Sequence, residues 1–282
     1  ASYVKYFTVP EQMKGKRLFI SFQGAESGLA LWLNGKFVGY SEDSFTPSEF
    51  ELTPYLTKGT NKLAVQVYKW TAGSWCEDQD FFRFSGIYRD VYLYAIPEVH
   101  VSDVKIQTLL DDTFTKADLV IDTKATKAGK VKITLSKDGK ELQSVEETLA
   151  EESQYVMKVE RPELWSAESP VLYDLLLEVM DENGQVTEVI PQRVGFRRFE
   201  MKDSIMMLNG KRIVFKGVNR HEFSSVSGRV VSREELIKDL VTMKQNNINA
   251  IRTCHYPDAV GIYELCDEYG IYMIAECNME SH

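Results

Sequence analysis

The stretch Gly217-Val218-Asn219-Arg220-His221-Glu222 follows closely on the apolar run Ile213–Phe215, and the same arrangement recurs twice before residue 282. The other two junctions are Ile248–Ile251 with Arg252-Thr253-Cys254-His255-Tyr256-Pro257, and Ile271–Ile274 with Glu276-Cys277-Asn278-Met279-Glu280-Ser281-His282. Short apolar runs that end in polar residues are typical of buried strands. The sequence therefore predicts three strands, each with a histidine near its carboxyl end.

Two helical patterns separate these strands. The first opens with Ser232 and Glu235 at the spacing of a capping box. Its apolar face consists of Leu236, Ile237, Leu240 and Met243. The second follows Pro257 and ends at Gly270, a residue type common just past a helix end. Alternating strands and helices predict a parallel sheet, which is either the beginning of a (β/α)₈ TIM barrel or a doubly wound sheet with incidental histidines.

Polar residues cluster at the predicted strand ends. Carboxyl ends of parallel strands meet at one edge of a sheet, and this edge carries the chemistry in TIM barrels. Arg252 and three glutamates accompany the histidines: Glu222, Glu276 and Glu280. The grouping favours one shared pocket over isolated structural histidines.

Residues 1–97 have the pattern of a β-sandwich of jelly-roll type. The runs 18–22, 29–33 and 62–68 are strands, and Asn34-Gly35 is a strong hairpin signal. Because residues 1–7 are already in strand pattern, we expect this domain to be incomplete at its N-terminus.

One loop of this domain is unusual in composition. Residues 70–90 include Glu77-Asp78-Gln79-Asp80 between aromatic residues. Aromatic faces stack on sugar rings, and carboxylates and amides bind hydroxyl groups, so the loop is a candidate carbohydrate site. The alternative is a solvated acidic loop above an aromatic core. We predict that the loop reaches the barrel face.

Residues 98–196 have the regular short strands of an immunoglobulin-like sandwich, which we interpret as a spacer. Asp138-Gly139 and Asn183-Gly184 are turn signals, and the segment contains no cysteine. His100 is predicted to be a surface histidine. Asn209-Gly210 predicts a hairpin of 205–208 with 212–215 that leads into an incomplete barrel domain, residues 197–282.

Composition and charge exclude several classes of protein. A net charge of −9 disfavours a nucleic-acid partner. Apolar runs are far shorter than the roughly 20 residues that span a bilayer, so no membrane segment is expected. The four cysteines form no C-x-x-C pair, and we expect them to be reduced and buried, with the cytoplasm as the compartment.

The sequence resembles β-galactosidases of glycoside hydrolase family 2 along its whole length. The most specific matches are Leu31–Tyr40, Asp43–Phe50, Glu77–Asp80, Phe84–Asp90, Leu164–Ser166, Val194–Arg197, Gly217–Glu222, Met243–Asn247, Arg252–Pro257 and Asn278–His282. The Glu-Asp-Gln-Asp loop points to the galactosidase branch over β-glucuronidases and β-mannosidases. The family's domain order, jelly roll, immunoglobulin-like domain and barrel, agrees with the order described above.

The resemblance also implies roles for individual residues. His221 and His255 would hold galactose hydroxyls, and Asp80 would contact the sugar and a sodium ion. Glu280 and His282 would be magnesium ligands, whereas Arg252 and Glu276 would support the site. Phe223 and Ser224 depart from the family pattern, in which further histidines are common, as do Ala275 and Cys277.

The function implied by the resemblance is hydrolysis of terminal β-galactosides with retention, by an enzyme that assembles as a homo-oligomer. In that family both catalytic carboxylates lie on later barrel strands, so we assign no catalytic residue here and expect no hydrolysis by this chain alone. Magnesium and sodium binding by this chain is expected to be weak. Alternatives are a non-catalytic carbohydrate-binding protein and another family-2 glycosidase, either a β-glucuronidase or a β-mannosidase.

Overall fold

A computed structural model describes residues 1–281 of the chain. The chain forms two compact units. One comprises residues 1–96, 217–264 and 273–282, and the other comprises residues 97–216 and 265–272. His282 lies outside the described residues.

The first unit begins with a β-sandwich. Its strands are β1 (Ser2–Thr8), β2 (Arg17–Phe22), β3 (Ala25–Glu26), β4 (Gly28–Leu33), β5 (Lys36–Ser41), β6 (Ser48–Glu51), β7 (Thr60–Tyr68), β8 (Gly86–Ile87) and β9 (Val91–Ile96). One sheet has the order β1-β7-β4-β5, a second has the order β6-β2-β9, and β3 pairs with β8. Its core includes Leu18, Leu31 and Leu33, each with no exposed surface.

The hairpin between β4 and β5 turns at the predicted residues. Asn34 and Gly35 have φ angles of 54° and 81°. Two consecutive positive φ values define a type I′ turn, whose twist matches that of the flanking strands. The Asn34 side chain also donates to the Tyr55 carbonyl at 3.0 Å. This hairpin is therefore specified locally and held by a neighbouring loop.

The second unit contains the other sandwich. Its strands are β10 (Val101–Leu110), β11 (Lys116–Ala125), β12 (Gly129–Lys137), β13 (Lys140–Leu149), β14 (Glu152–Glu160), β15 (Tyr173–Met180) and β16 (Val186–Val194). Their two sheets, β10-β11-β14 and β13-β12-β15-β16, are antiparallel throughout. Seven antiparallel strands in sheets of three and four agree with the predicted immunoglobulin-like fold.

The prediction of a surface position for His100 holds only in part. Its ring is 19% exposed, and Nδ1 lies 2.7 Å from a carboxylate oxygen of Glu188. The other oxygen of Glu188 accepts the backbone N–H of Val101 at 2.9 Å. His100 thus helps join β10 to β16. Glu188 is 88 positions away in the sequence. The polar residues around His100 therefore do not reveal this partner.

A short three-stranded antiparallel sheet follows, formed by β17 (Phe199–Lys202), β18 (Ile205–Leu208) and β19 (Lys211–Arg212). The sequence predicted that the last strand extends to residue 215, whereas regular pairing ends at Arg212. The Ile213 N–H still donates to the Met206 carbonyl at 3.0 Å. Beyond that bond the chain leaves this sheet.

Three short strands form the last sheet, in the order β20-β21-β22. They are β20 (Gly217–Arg220), β21 (Ala250–Thr253) and β22 (Tyr272–Ala275). The first strand was predicted at Ile213–Phe215 and begins instead at Gly217, and the other two begin one or two residues later than predicted. Parallel pairing of Gly217 with Ala250 sets the register, so backbone hydrogen bonding and not apolar content decides where the strands lie.

The predicted helices are present. They are α2 (Arg233–Gln245) and α3 (Gly261–Tyr269). A short helix earlier in the chain, α1 (Gly73–Cys76), lies within the acidic loop. At α2 the Ser232 side chain accepts the Glu235 N–H while the Glu235 carboxylate accepts the Ser232 N–H, which completes the predicted capping box. Among residues 1–281 no helix is long and apolar enough to cross a membrane.

The cysteine prediction held in part. All four cysteines are free, so no disulfide is formed. Cys254 and Cys266 are buried as expected, but Cys76 and Cys277 are exposed. Cys76 ends α1 in the acidic loop, and Cys277 follows β22. The number and spacing of cysteines do not predict the exposure of these two positions.

The end of α3 packs within the second unit. The Trp165 indole N–H donates to the Asp267 carbonyl at 2.8 Å. Gly270 follows with a φ of 70°, and a Cβ atom added there would lie 2.5 Å from the Ala167 carbonyl oxygen. Only glycine meets both requirements, since positive φ disfavours side chains and the space is already filled.

We expect Gly270→Ala to destabilise the protein by about 2–5 kcal/mol, the sum of backbone strain and a steric clash. Gly184→Ala is the matched control. Its φ is 78°, but an added Cβ would meet no atom within 4 Å, so only the strain of about 1–2 kcal/mol should remain. Urea unfolding of both variants measures the difference, and equal losses would contradict the steric argument.

Candidate functional site

The ends of β20 and β21 bring two predicted site histidines together. Arg220 pairs with Thr253 in the parallel register, so His221 and Cys254 follow at equivalent positions. The rings of His221 and His255 have centroids 5.5 Å apart, at an angle of 76°. The prediction that these histidines converge at adjacent strand ends is confirmed. The same prediction for His282 lies outside the described residues.

His255 is surrounded by charged partners. Its Nδ1 lies 3.2 Å from an Arg252 guanidinium nitrogen and 3.5 Å from a carboxylate oxygen each of Glu276 and Glu280. The Arg252 Nε donates to the other Glu276 oxygen at 2.5 Å. These contacts bring together four of the predicted site residues. Arg252 thus orients the Glu276 carboxylate beside His255.

His221 is exposed and contacts mainly aromatic groups. Its Nδ1 lies 3.4 Å from the Tyr256 hydroxyl. Burial of part of the ring, together with the neighbouring His255, lowers the pKa of His221 below its ordinary value. A neutral imidazole at pH 7 both donates and accepts a hydrogen bond, which suits recognition of a hydroxyl group.

A cavity of about 430 Å³ opens beside His221. Its lining consists of Asp80, Phe81, Phe82, Phe84, His221, Glu222, Phe223, Arg229 and Tyr256. Asp80 and its aromatic neighbours come from the loop at residues 70–90, whereas the others follow β20 or β21. The loop therefore reaches the strand ends, as predicted, and supplies one wall of the cavity.

Glu77 lies in the same loop but is buried. Its carboxylate accepts the Ser44 N–H at 3.0 Å, the Ser44 hydroxyl at 2.6 Å and the Asn278 amide at 2.6 Å. The Glu280 N–H donates to the Cys76 carbonyl at 2.8 Å. Burial raises the pKa of Glu77. The acidic loop is thus bonded to the residues after β22, and Asp80, unlike Glu77, is left facing solvent.

A buried ion pair fastens the other end of the loop. The Arg89 guanidinium donates to one Glu222 oxygen at 2.6 and 3.2 Å. It also donates to the carbonyls of Phe45 and Pro257 at 2.7 and 2.9 Å. The second Glu222 oxygen accepts the Ala259 N–H at 2.9 Å. Only 9% of the Arg89 side chain and 3% of the Glu222 side chain are exposed.

Arg229 lies in a cage of aromatic rings behind the cavity. Its guanidinium carbon is 4.6 to 5.7 Å from five ring centroids, those of Phe45, Phe81, Phe84, Tyr88 and Tyr256. It donates to the Phe82 carbonyl at 2.8 Å and lies 3.5 Å from the Glu26 carboxylate. Burial raises the pKa of Glu26 to about 7, against the opposing effect of Arg229. The cage holds the aromatic wall in place.

Reasoning from sequence missed Glu77, Arg89 and Arg229 as parts of the site. Glu77 and Arg89 lie in stretches that carried the family resemblance, but their partners are 33 to 201 residues away. Arg229 stands in a polar loop with no distinguishing pattern. The family resemblance was the one signal available, and it covered Glu77 and Arg89 but not Arg229.

Three domain profiles of one family match almost the whole chain. The sugar binding domain of glycosyl hydrolases family 2 matches residues 1–97, the profile named glycosyl hydrolases family 2 matches residues 99–197, and the TIM barrel domain of that family matches residues 199–282. The chain belongs to glycoside hydrolase family 2. Its fold is therefore a jelly-roll sugar-binding domain, an immunoglobulin-like sandwich and the beginning of a TIM barrel.

Curated relatives of this family-2 chain share high identity with it. A β-galactosidase of Halalkalibacterium halodurans is 53% identical over 287 residues, and one of Streptococcus thermophilus is 52% identical over the same length. Both alignments cover the whole of this chain but 28% of the relative. The chain thus spans about a quarter of the length of these enzymes.

Solved structures of two glycosidases have the same fold. A β-glycosidase from Bacteroides vulgatus is 30% identical, with a TM-score of 0.87 over 98% of this chain and 36% of that one. A β-glucuronidase of Bifidobacterium dentium, complexed with coumarin-3-O-glucuronide, is 25% identical, with a TM-score of 0.88 over 99% of this chain and 52% of that one.

We expect Arg89→Met to destabilise the first unit by about 3–5 kcal/mol, because Glu222 would remain buried without its charged partner. Arg89→Lys should recover part of this loss. Arg17→Met is the matched control, since it breaks an Arg–Glu pair of the same sandwich whose arginine is 54% exposed. Its effect should be much smaller. Chemical unfolding measures all three, and similar losses for Arg17→Met and Arg89→Met would contradict this account.

Proposed function

We propose that this chain forms the substrate-recognising rim of a retaining β-galactosidase. The observation that carries the proposal is the cavity in which Asp80 from the jelly-roll loop and His221 from the first barrel strand lie together. A carboxylate, an imidazole and aromatic side chains are a composition that binds a sugar. The identity of over 50% to two β-galactosidases supports galactose as that sugar.

In this proposal each side chain has a separate task. His221 and His255 hydrogen-bond to galactose hydroxyls, and Asp80 accepts from a further hydroxyl. Tyr256 positions His221 through Nδ1, while Arg252, Glu276 and Glu280 surround Nδ1 of His255. Orienting the first nitrogen of each ring directs the other toward the ligand, which reduces the entropy lost on binding.

The donor groups also fit the metals that the family resemblance implies. Glu276 and Glu280 place carboxylate oxygens near His255, and oxygen donors in a half-exposed site suit magnesium. We propose that Glu280 and His282 hold magnesium and that Asp80 takes part in a sodium site. A bound divalent ion would supply positive charge near the sugar, and this chain's residues would orient the substrate beside it.

We propose no catalytic role for the acidic residues of this rim. A retaining glycosidase needs two carboxyl groups about 5–5.5 Å apart, one as acid and base and one as nucleophile. Glu222 is bound to Arg89, Glu276 to Arg252, and Glu77 to Ser44 and Asn278. Their hydrogen bonds hold these groups as ion-pair or capping partners. The catalytic pair belongs, in this proposal, to later barrel strands of the enzyme.

Assembly of the whole enzyme from several chains is part of the proposal. A relative from Leuconostoc lactis, 47% identical, is named β-galactosidase large subunit, and this chain covers 46% of it. That name describes an enzyme built from more than one polypeptide. We therefore propose that the enzyme containing this chain is also oligomeric.

Titration of the 282-residue chain with methyl β-galactoside, followed by NMR, tests the proposal. We expect shifts at the cavity and a roughly tenfold weaker affinity for His221→Ala, equivalent to about 1.4 kcal/mol for a lost hydrogen bond. His100→Ala, which changes a histidine of the other sandwich, should bind as the original chain does. Methyl β-glucuronide and β-mannoside should bind more weakly than the galactoside.

The same preparation should release no nitrophenol from nitrophenyl β-galactoside. Turnover above a mock preparation would show that catalytic residues lie within this chain. Tighter binding of the glucuronide or the mannoside would assign another family-2 specificity. If His221→Ala bound the galactoside as tightly as the original chain does, the proposed role of the cavity would be contradicted.

A further inference from the structure

Cys254 lies beside both site histidines. One ligand atom from each of His221, Cys254 and His255 lies within 4.8 Å of the others. Cys254 follows β21 directly, and its backbone N–H donates to the Arg220 carbonyl at 3.1 Å. Its side chain is 2% exposed, whereas His221 is exposed. A buried thiol thus lies beside two imidazoles.

Hydrogen bonding leaves one nitrogen of each ring for a ligand. The Nδ1 atom of His221 contacts the Tyr256 hydroxyl, and that of His255 is surrounded by Arg252, Glu276 and Glu280. Within residues 1–281, Nε2 of neither histidine forms a hydrogen bond. Histidines that bind metals in proteins donate the other ring N–H to an outer acceptor. The Tyr256 hydroxyl can accept from His221 in this way. At His255 the Arg252 guanidinium can only donate, so Nδ1 would give its proton to Glu276 or Glu280 when Nε2 takes the metal.

Two imidazoles and a thiol are a donor set for a borderline or soft ion. Zn²⁺ binds sulfur at about 2.3 Å and nitrogen at about 2.0–2.1 Å, so neighbouring ligands of a tetrahedral site lie roughly 3.3–3.6 Å apart. The three atoms would have to approach one another by about 1 Å, which rotation of the exposed His221 and half-buried His255 side chains toward the Cys254 thiol can supply. Magnesium prefers oxygen ligands and would not compete for these atoms.

We propose that His221, Cys254 and His255 form a binding site for a thiophilic divalent ion such as Zn²⁺. The ion forms two Zn–N bonds and one Zn–S bond, and the Cys254 thiol proton passes to the buffer. The fourth tetrahedral position is left to water. Three protein ligands and one open position are the pattern of a site that exchanges a ligand, in contrast to a closed structural site.

The ion would also exclude the sugar. It occupies the histidine nitrogens that the proposed function assigns to galactose hydroxyls, so zinc should inhibit galactoside binding. This consequence rests on the proposed function, but the metal site does not. Metal binding without competition would therefore leave the site standing and contradict only the shared use of the histidines.

Cobalt titration of the reduced 282-residue chain tests the site directly. Co²⁺ replaces Zn²⁺ in such sites and reports both tetrahedral geometry and a thiolate ligand by absorption. We expect both signals, with one equivalent of ion bound and one proton released. Cys254→Ser should lose the thiolate band, and Zn²⁺ should displace the cobalt. Cys277→Ser is the matched control, because it removes an exposed thiol that follows Glu276 in sequence and is not one of the three ligands, so it should keep the band.

His221→Asn provides a second test that does not disturb the core, since this side chain is exposed. Its affinity for Co²⁺ should fall by at least about tenfold while its circular dichroism stays unchanged. If the unchanged chain showed no cobalt–thiolate band, the proposal would be overturned. A band that survives in Cys254→Ser and disappears in Cys277→Ser, or an unchanged affinity in His221→Asn, would overturn it too.

Discussion

The buried ion pair between Arg89 and Glu222 is the constraint on which the site depends. Removing two charges from water is costly unless their remaining donors and acceptors are also bonded. The guanidinium meets this condition by binding Glu222 and the carbonyls of Phe45 and Pro257, and the carboxylate by binding the Ala259 N–H. The pair therefore joins the sandwich to the segments after β20 and β21 in one geometry.

The other end of the acidic loop is fixed by a second set of polar contacts. Glu77 binds Ser44 and Asn278, and Arg229 holds the Phe82 carbonyl from within its aromatic cage. Between these anchors only a short segment, including Asp80, can face the cavity. Buried polar contacts thus hold the cavity in one arrangement, and a ligand bound there would order few further side chains. The parallel register of β20 and β21 places Cys254 beside both histidines, with ligand atoms within 4.8 Å of one another.

Several features that the sequence analysis did not resolve share one cause. The strands of the last sheet lie later than their apolar runs, because β20 begins where Gly217 pairs with Ala250. His100 was expected at the surface but pairs with Glu188. Glu77 and Asp80 belong to one acidic run, yet the first is buried and the second exposed. In each case a contact with a residue distant in the chain determines the position or burial of the side chain. The local composition does not indicate that contact.

By itself the sequence determined the order of the three structural segments, the Asn34-Gly35 hairpin, the capping box of α2 and the end of α3 at Gly270. These features depend on bonds between residues a few positions apart or on the periodicity of apolar side chains. It also indicated which histidines follow strands. Only the tertiary structure decided which acidic residues are anchors, which one faces the cavity, and that a cysteine lies within 4.8 Å of both histidines. Those outcomes depend on contacts such as Arg89–Glu222, 133 residues apart, whose geometry exists only once the chain has folded.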